Sequence, residues 1–444
     1  YFGRVMYSYA DRYLFQANIR HDGSSRFAKK HRWGTFPSFS AGWVLSEENF
    51  MKNLNWEWLS FLKIRATWGA LGNERIGDFP YMSTIAFGNT IFYQNNGIYF
   101  DQTASQQKYA IENVTWEKTE STDIGLDISF LNNRLRVNGD YYWKNTKDML
   151  LAMAIPDFLG FSDPDVNAGK MSTKGYELNV SWNDHIGDFS YGIAINFSDF
   201  TSKMGDLQGT QFLGDKVKME GSEFNEWYGY VSDGLFLTEE DLKNSPKIND
   251  KNTQLGDIKY KDISGPDGVP DGKISPEYDR VLLGSSLPHF LYGGNINLGY
   301  KNFDLSLAFQ GVGKQNARLA REMVEPFRNN YGNFPAIIDG NYWSPYNTDE
   351  QNAVAKYPRL THVNKSSNYA MSDYWLFNGG YFRLKNITLG YTFPKEWMNA
   401  IGIKGARIYA SASDLFCLSK YPKGWDPEMG VSEYPITTSI LLGV

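Results

Sequence analysis

The residues with the clearest claim to chemistry lie between Asp262 and Asp279, in the run DISGPDGVPDGKISPEYD. Calcium takes roughly six to eight oxygens from carboxylates, carbonyls and water on a flexible, glycine-bearing loop. Counted from Asp267, the calcium-loop spacing puts Asp267 at the first position, Asp271 at the fifth and Gly272 at the sixth. Val269 and Tyr278 then fall on two ligand positions and supply no carboxylate. Counted from Asp262, Ser264 fits the third position, but Asp267 comes one residue late. The candidate ligands are Asp262, Ser264, Asp267, Asp271 and Asp279, with calcium the one cofactor they suggest. A surface turn rich in Gly, Pro and Asp, holding no ion, accounts for the same letters.

A second group is aromatic: Trp227, Tyr228, Tyr230, Trp343, Tyr346 and Trp425, all in segments without strand periodicity. Such rings stack on sugars or anchor a protein partner, because they join apolar area to a polar tip. Packing inside folded loops, or a girdle at a membrane surface, would use them equally well. Catalytic spacing is absent. His21, His31, His185, His289 and His362 are scattered without HExxH, there is no GxSxG, and Gly311-Val312-Gly313-Lys314 lacks the rest of a phosphate loop. No residue is expected to do covalent chemistry.

What would hold these groups is read from pattern. The chain has 444 residues, 16% of them aromatic, yet its mean hydropathy is −0.46. The longest apolar run, Met149 to Ile155, falls far short of the roughly 20 residues of a helical span. A net charge of −6 without basic blocks gives no reason to expect nucleic acid. Cys417 stands alone, so there is no internal disulfide. The chain begins at Tyr1 without Met or leader and reads as a piece of something longer.

Thr122 to Lys147 sets the theme. Ile124, Leu126, Ile128 and Phe130 alternate with Asp123, Gly125, Asp127 and Ser129; after Asn132-Asn133, Leu135, Val137, Tyr141 and Trp143 alternate with Arg136, Asn138, Asp140 and Tyr142. Successive strand side chains point to opposite sides, so each strand has an apolar and a polar face. About thirteen such strands follow one another, with short and long connections alternating. Ser46 to Leu59 reads as a short helix capped by Ser46, and Gly69 to Trp116 as loop. The pattern predicts an all-β transmembrane antiparallel β-barrel, incomplete here, with lipid outside and water inside. Ile128, Val180, Ile195 and Leu305 are expected to face lipid, and Asp127, Asn138, Asn196 and Asp304 the lumen. Ala10-Asp11, Asn132-Asn133 and Lys301-Asn302 are expected at the periplasmic end, with the long loops outside. A soluble β-sandwich or carbohydrate-binding module, or a barrel enzyme with residues meeting at the rim, shares the alternation.

Several segments resemble one family in its own order. Trp116-Glu117-Lys118-Thr119 with Asp123-Ile124-Gly125-Leu126-Asp127, Lys174-Gly175-Tyr176-Glu177-Leu178, and Gly256-Asp257-Ile258-Lys259-Tyr260 through Asp279-Arg280 are three. Phe303-Asp304-Leu305 with Phe309-Gln310-Gly311, and Asp414-Leu415-Phe416 with Asp426-Pro427-Glu428, are others. Together they resemble the barrel of SusC/RagA-type TonB-dependent transporters of Bacteroidota. The resemblance implies an outer-membrane location and TonB-driven import of glycans or peptides under a SusD-like lipoprotein lid. It also implies that the plug and the TonB-contacting segment lie before Tyr1. A few residues are expected to follow Val444, where the family's last strand ends in an aromatic residue.

Overall fold

A computed structural model describes residues 1–94, 97–106, 109–153, 155–161, 163–209, 211, 213–328, 332–430 and 433–444. Thirteen strands follow one another in a meander, each beside its sequence neighbours. They are β1 (Phe2–Tyr9), β2 (Tyr13–Gly23), β3 (Trp33–Val44), β4 (Leu59–Asn73), β5 (Glu117–Phe130), β6 (Leu135–Lys147) and β7 (Met171–Ile186), then β8 (Phe189–Met204), β9 (His289–Tyr300), β10 (Phe303–Lys314), β11 (Tyr381–Thr392), β12 (Arg407–Ser419) and β13 (Ser439–Gly443). The end strands β1 and β13 each have one neighbour in this order. Two compact units divide the chain: Tyr1–Ser181 with Asp199–Gln211 and Met219–Gly221, and Trp182–Ser198 with Phe212–Lys218 and Ser222–Val444.

In the first unit the register lines up Tyr7, Phe15, Ala41, Ala66, Ile124 and Tyr141 across six strands. The next row is Met6, Gln16, Ser40, Thr67, Asp123 and Tyr142. Directly paired residues share a face, so apolar and polar rows alternate as expected. The second unit repeats this. Tyr191, Leu298, Leu305, Leu389, Ala410 and Leu442 form one row; Gly192, Asn297, Ser306, Thr388 and Ser411 form the next. Aromatics mark the turn end, where Phe189, Tyr300, Phe303 and Tyr391 are in register. Ile128, Ile195 and Leu305 lie in apolar rows, and Asp127, Asn138 and Asp304 in polar ones.

Connections 10–12, 131–134, 187–188 and 301–302 are tight. Ala10, Asp11, Asn132, Asn133, Gly187 and Lys301 all take positive φ, the backbone that matches the twist of a hairpin. The connections 74–116, 148–170, 205–288 and 315–380 leave from the opposite strand ends. Two expectations need correction. Residues 46–59 form no single helix: a 3-10 turn at Leu45–Glu47 meets a short helix at Asn49–Lys52, and no side chain caps it. Glu48 is drawn inward, accepting hydrogen bonds from Tyr13 at 2.5 Å, Trp43 at 3.0 Å and Arg12 at 3.2 Å. Residues 69–116 are not simply loop. β4 runs on to Asn73, and Ile85–Gln94 pairs with Gly97–Gln106. On that hairpin Ile85, Phe87, Ile91 and Tyr93 share one face with Ile98 and Phe100, while Phe92 and Tyr99 stand on the other, so its period of two is present but interrupted.

The largest apolar core lies in the long connections of the second unit. Tyr230, Leu235, Ile258, Tyr260, Met323, Ile338, Trp343, Tyr369 and Trp375 pack together there. Asp257 is fully buried beside this core. Its carboxylate pairs with Arg359 Nε at 2.8 Å and accepts from Asn364 at 2.7 Å, Asn368 at 2.9 Å and the Gln254 N–H at 2.9 Å. Gly256, at φ +82°, lies flat against Trp343, where a Cβ would meet the ring at 2.3 Å.

Two outcomes test this arrangement. Arg at Leu307, in an apolar row, should cost about 2–4 kcal/mol of folding free energy in lipid vesicles. Arg at Ser306, one residue away on the polar face, should cost much less; equal costs in urea titrations would refute the two-faced wall. Asp257→Ala removes one partner of a buried pair and should cost about 3–5 kcal/mol. Limited proteolysis should then cut within 230–375 while the strands stay protease-resistant.

Candidate functional site

The aromatic candidates separate into three fates. Trp227 and Tyr228 sit on a small sheet in which Glu226–Gly229 pairs with Lys216–Val217 and Val281–Gly284. The Trp227 indole N–H donates to the Asn316 carbonyl at 2.5 Å, and Lys216 Nζ lies 4.6 Å above its ring. Arg280 covers Tyr228 at 4.4 Å and donates to its carbonyl at 3.0 Å. Tyr230 and Trp343, expected to touch a ligand, are instead core residues. Tyr230 packs on Tyr260 at 5.3 Å, and Trp343 lies over Gly256. Trp425 packs partly buried against the same core. Tyr346 stands alone at 96% exposure.

The acidic loop is organised from within. Asp279, fully buried, accepts the N–H groups of Ile263 at 2.8 Å, Ser264 at 3.2 Å and Ser275 at 2.7 Å. A carboxylate so occupied is a poor metal ligand, since its oxygens already serve the backbone. Asp262 Oδ2 accepts from the Gly272 N–H at 2.6 Å, and Asp271 Oδ1 from Lys273 at 3.0 Å. Asp262 Oδ1 is buried without a hydrogen-bond partner. Asp267 lies exposed at the turn tip. Among the described residues no group of three or more His, Cys, Asp or Glu is gathered as a metal site.

Charged clusters that pattern alone did not single out stand on the polar face and where loops join it. Arg65 reaches Asp140 at 2.6 Å, Asp127 at 3.3 Å and Asp123 at 3.7 Å. Gly125 leaves room for that guanidinium: a Cβ there would meet Arg65 Cζ at 2.5 Å. Arg383, nearly buried on β11, binds Glu428 at 2.5 Å and Asp426 at 2.6 Å, tying the 420–438 connection to the wall. Farther out, Lys259 pairs with Asp233 at 2.9 Å and Asp241 at 3.1 Å. Burial pulls its pKa down, but those two hydrogen bonds prevail and hold it above the ordinary lysine value.

Three long connections, 205–288, 315–380 and 420–438, meet around an open pocket of about 390 Å³. Lys216, Trp227, Asn316, Arg318, Arg321 and Tyr421 line it. Of the expected contact residues it gathers Trp227 alone. Its arginines carry no motif, so only the folded loops bring them together.

Comparison with known proteins gives this arrangement a family. Residues 1–415 match the family described as TonB dependent receptor-like, beta-barrel. The chain is 32% identical over 463 residues to the TonB-dependent receptor SusC of Bacteroides thetaiotaomicron, covering 100% of this chain and 43% of that receptor. It is 31% identical to TonB-dependent receptor P3 of Formosa agariphila, over 96% of this chain and 41% of that one. In fold it is similar to the solved RagAB peptide transporter, with a TM-score of 0.77 at 22% identity, over 97% of this chain and 44% of that one. The chain thus spans less than half the length of the relatives it matches. A meander of two-faced strands, matched over 415 of its residues, places it: the chain belongs to the TonB-dependent receptors, as part of an outer-membrane β-barrel of the SusC kind.

Proposed function

We propose that this chain supplies barrel wall and outer loops to an importer that takes up oligosaccharides or oligopeptides by TonB-coupled transport. A SusD-like surface lipoprotein would cap the loops, and parts of the protein outside this chain would supply the plug and the TonB contact. The observation that carries the reading is the 32% identity with SusC across the whole chain. The folded loops suit the role. They form a packed body with its own core and a polar, aromatic-edged pocket, as capture of a hydrated nutrient before passage requires. The polar rows then offer hydroxyls, amides and paired charges along the wall, on which a solute is held weakly enough to move on. The family is one of transporters and not an enzyme class, and the work assigned to these residues is binding and guidance.

The direct test is uptake. Cells lacking the intact gene should fail to accumulate labelled oligosaccharides or oligopeptides that complemented cells take up, and a protonophore should abolish the difference. Uptake unaffected by the deletion would end the import reading. Topology is tested separately, in a Cys417→Ser background. A cysteine at Tyr346 should react with an impermeant maleimide on intact cells, and one at Asn132 should react only after permeabilisation. The reverse pattern would invert the assignment. Calcium in the 262–279 loop is a further proposal, resting on the unpartnered Asp262 Oδ1 with Asp271 nearby, since Asp279 is committed to the backbone. Millimolar calcium should raise the Tm of the intact protein by a few degrees and leave Asp262→Asn unmoved; a parent protein that chelator leaves unchanged refutes it.

A further inference from the structure

We propose that the pocket where the three long connections meet is a subsite for the carboxylate of an acidic, uronate-bearing oligosaccharide. The charge of its lining is lopsided. Lys216, Arg318, Arg321 and Arg328 line it, whereas Glu322 is the one acidic side chain that does. The arginines are fixed by pairs that use only part of their donor sets. Arg318 Nη1 binds Asp215 at 2.5 Å while its Nη2 donates to the Tyr369 carbonyl at 3.4 Å, Arg321 Nε binds Glu325 at 2.6 Å, and one terminal nitrogen of Arg328 binds Glu322. Glu325 is buried and shared with Lys365 at 3.5 Å, so it anchors Arg321 from behind and does not fill the pocket. Lys216 has no carboxylate partner among the described residues; its ammonium lies over Trp227. Arg321, held at Nε by Glu325 with its terminal nitrogens uncommitted among the described residues, is preorganised for bidentate carboxylate binding, and Arg318 and Arg328 add positive charge beside it. The pocket's volume lies in the range of small-ligand sites.

Aromatic and amide neighbours favour a sugar over a peptide as the bearer of that carboxylate. Trp227 and Tyr421 bring rings to the pocket, and Gln315 and Asn316, whose amide nitrogens donate to the Ser286 and Leu283 carbonyls at 3.4 Å, bring amide oxygens that can accept from hydroxyl groups. A peptide would be gripped mainly by main-chain hydrogen bonds to a free strand edge. Here that backbone is engaged: the Asn316 carbonyl accepts from Trp227, the Ala317 N–H donates to Gln315 at 3.1 Å, and the Leu319 N–H donates to Trp375 at 2.8 Å. The subsite rests on the import reading for its purpose, but its binding chemistry can be measured alone.

The measurement is calorimetric titration of the intact detergent-purified transporter with trigalacturonate, its neutral methyl ester and tri-aspartate. Trigalacturonate should bind at least tenfold tighter than the ester, and the margin should shrink as salt rises. Lys216→Met and Arg328→Gln change exposed side chains, and each should remove most of that margin with the melting temperature unchanged. Arg321→Lys, which keeps the charge facing Glu325 and loses the fork, should weaken the acid and not the ester. Equal binding of acid and ester, or undiminished acid binding in all three variants, would overturn the subsite. Tighter binding of tri-aspartate would overturn the sugar assignment in favour of a peptide. Failed whole-cell uptake with trigalacturonate binding intact would count against import and leave the subsite standing.

Discussion

The constraint on which the rest depends is that a strand crossing lipid must hand every backbone N–H and C=O to a neighbour. A meander satisfies this locally, each strand bonding to the ones before and after it in sequence. The same ladder decides where side chains go. Rows such as Ile193, Ile296, Leu307 and Ile387 share one side, and Asn295, Ala308 and Asn386 share the other. Neither side is a dry interior, so the sheet cannot hold an ordinary hydrophobic core. Most of the deeply buried apolar residues are accordingly found in the connections, with Trp375 at 2% exposure among them, while those on the strands, such as Met204 and Val44, lie toward strand ends.

A wall of this kind can place charge on its polar side only if the charge is paired or wetted. The arrangement chosen is one arginine serving several carboxylates from neighbouring strands, as Arg65 does with Asp123, Asp127 and Asp140. Such a cluster spans three strands, so it also resists a slip in register, which would carry its members to the opposite face. Where a loop joins the wall Arg383 plays the same part, its nearly buried guanidinium drawing Asp426 and Glu428 onto the wall. Pairs this buried gain little net stability over an apolar substitute but are costly to break, which suits them to fixing geometry.

Much of this was legible in the letters. Period-two alternation located the thirteen strands, and Asn132-Asn133 and Lys301-Asn302 marked turns that do take positive φ. Where one face of a strand is apolar and the other polar, pattern and structure are nearly the same statement. Reading failed where that link is cut. The hairpin of Ile85–Gln94 and Gly97–Gln106 does alternate, with Ile85, Phe87, Ile91 and Tyr93 on one face, but Asn89 and Gln102 interrupt that face and Phe92 and Tyr99 break the other. Tyr230 and Trp343 lie outside the wall strands, where an aromatic suits a ligand or a packed loop equally well; only the tertiary fold shows the core that takes them in. The arginines of the pocket come from positions 318, 321 and 328, while Lys216 and Trp227 come from another connection about a hundred residues away. No local pattern ties those stretches together.

Some of the motifs that carried the family resemblance sit at joints between wall and loop, or at hubs within loops, while others, such as residues 123–127 and 174–178, lie within wall strands. Trp116 is buried under Phe27 and Phe36, its indole N–H reaching the Arg32 carbonyl at 3.2 Å. Glu117 beside it accepts from Asn73 at 3.0 Å and from the Leu150 N–H at 3.1 Å, fastening three segments at one point. Asp257 and Asp279 organise loop backbone, and Asp426 and Glu428 clamp Arg383. The reason lies in how demanding each environment is. A row facing lipid asks only that a residue be apolar, so Leu, Ile, Val and Phe serve alike and leave no fixed word in the sequence. A buried carboxylate with three or four fixed donors asks for one side chain of one length, since a shorter or neutral one strands those donors. The fastening points Trp116, Glu117, Asp257, Asp279, Asp426 and Glu428 are of this demanding kind. The exposed surfaces those loops present, Lys216 and Arg328 among them, are bound by no such demand.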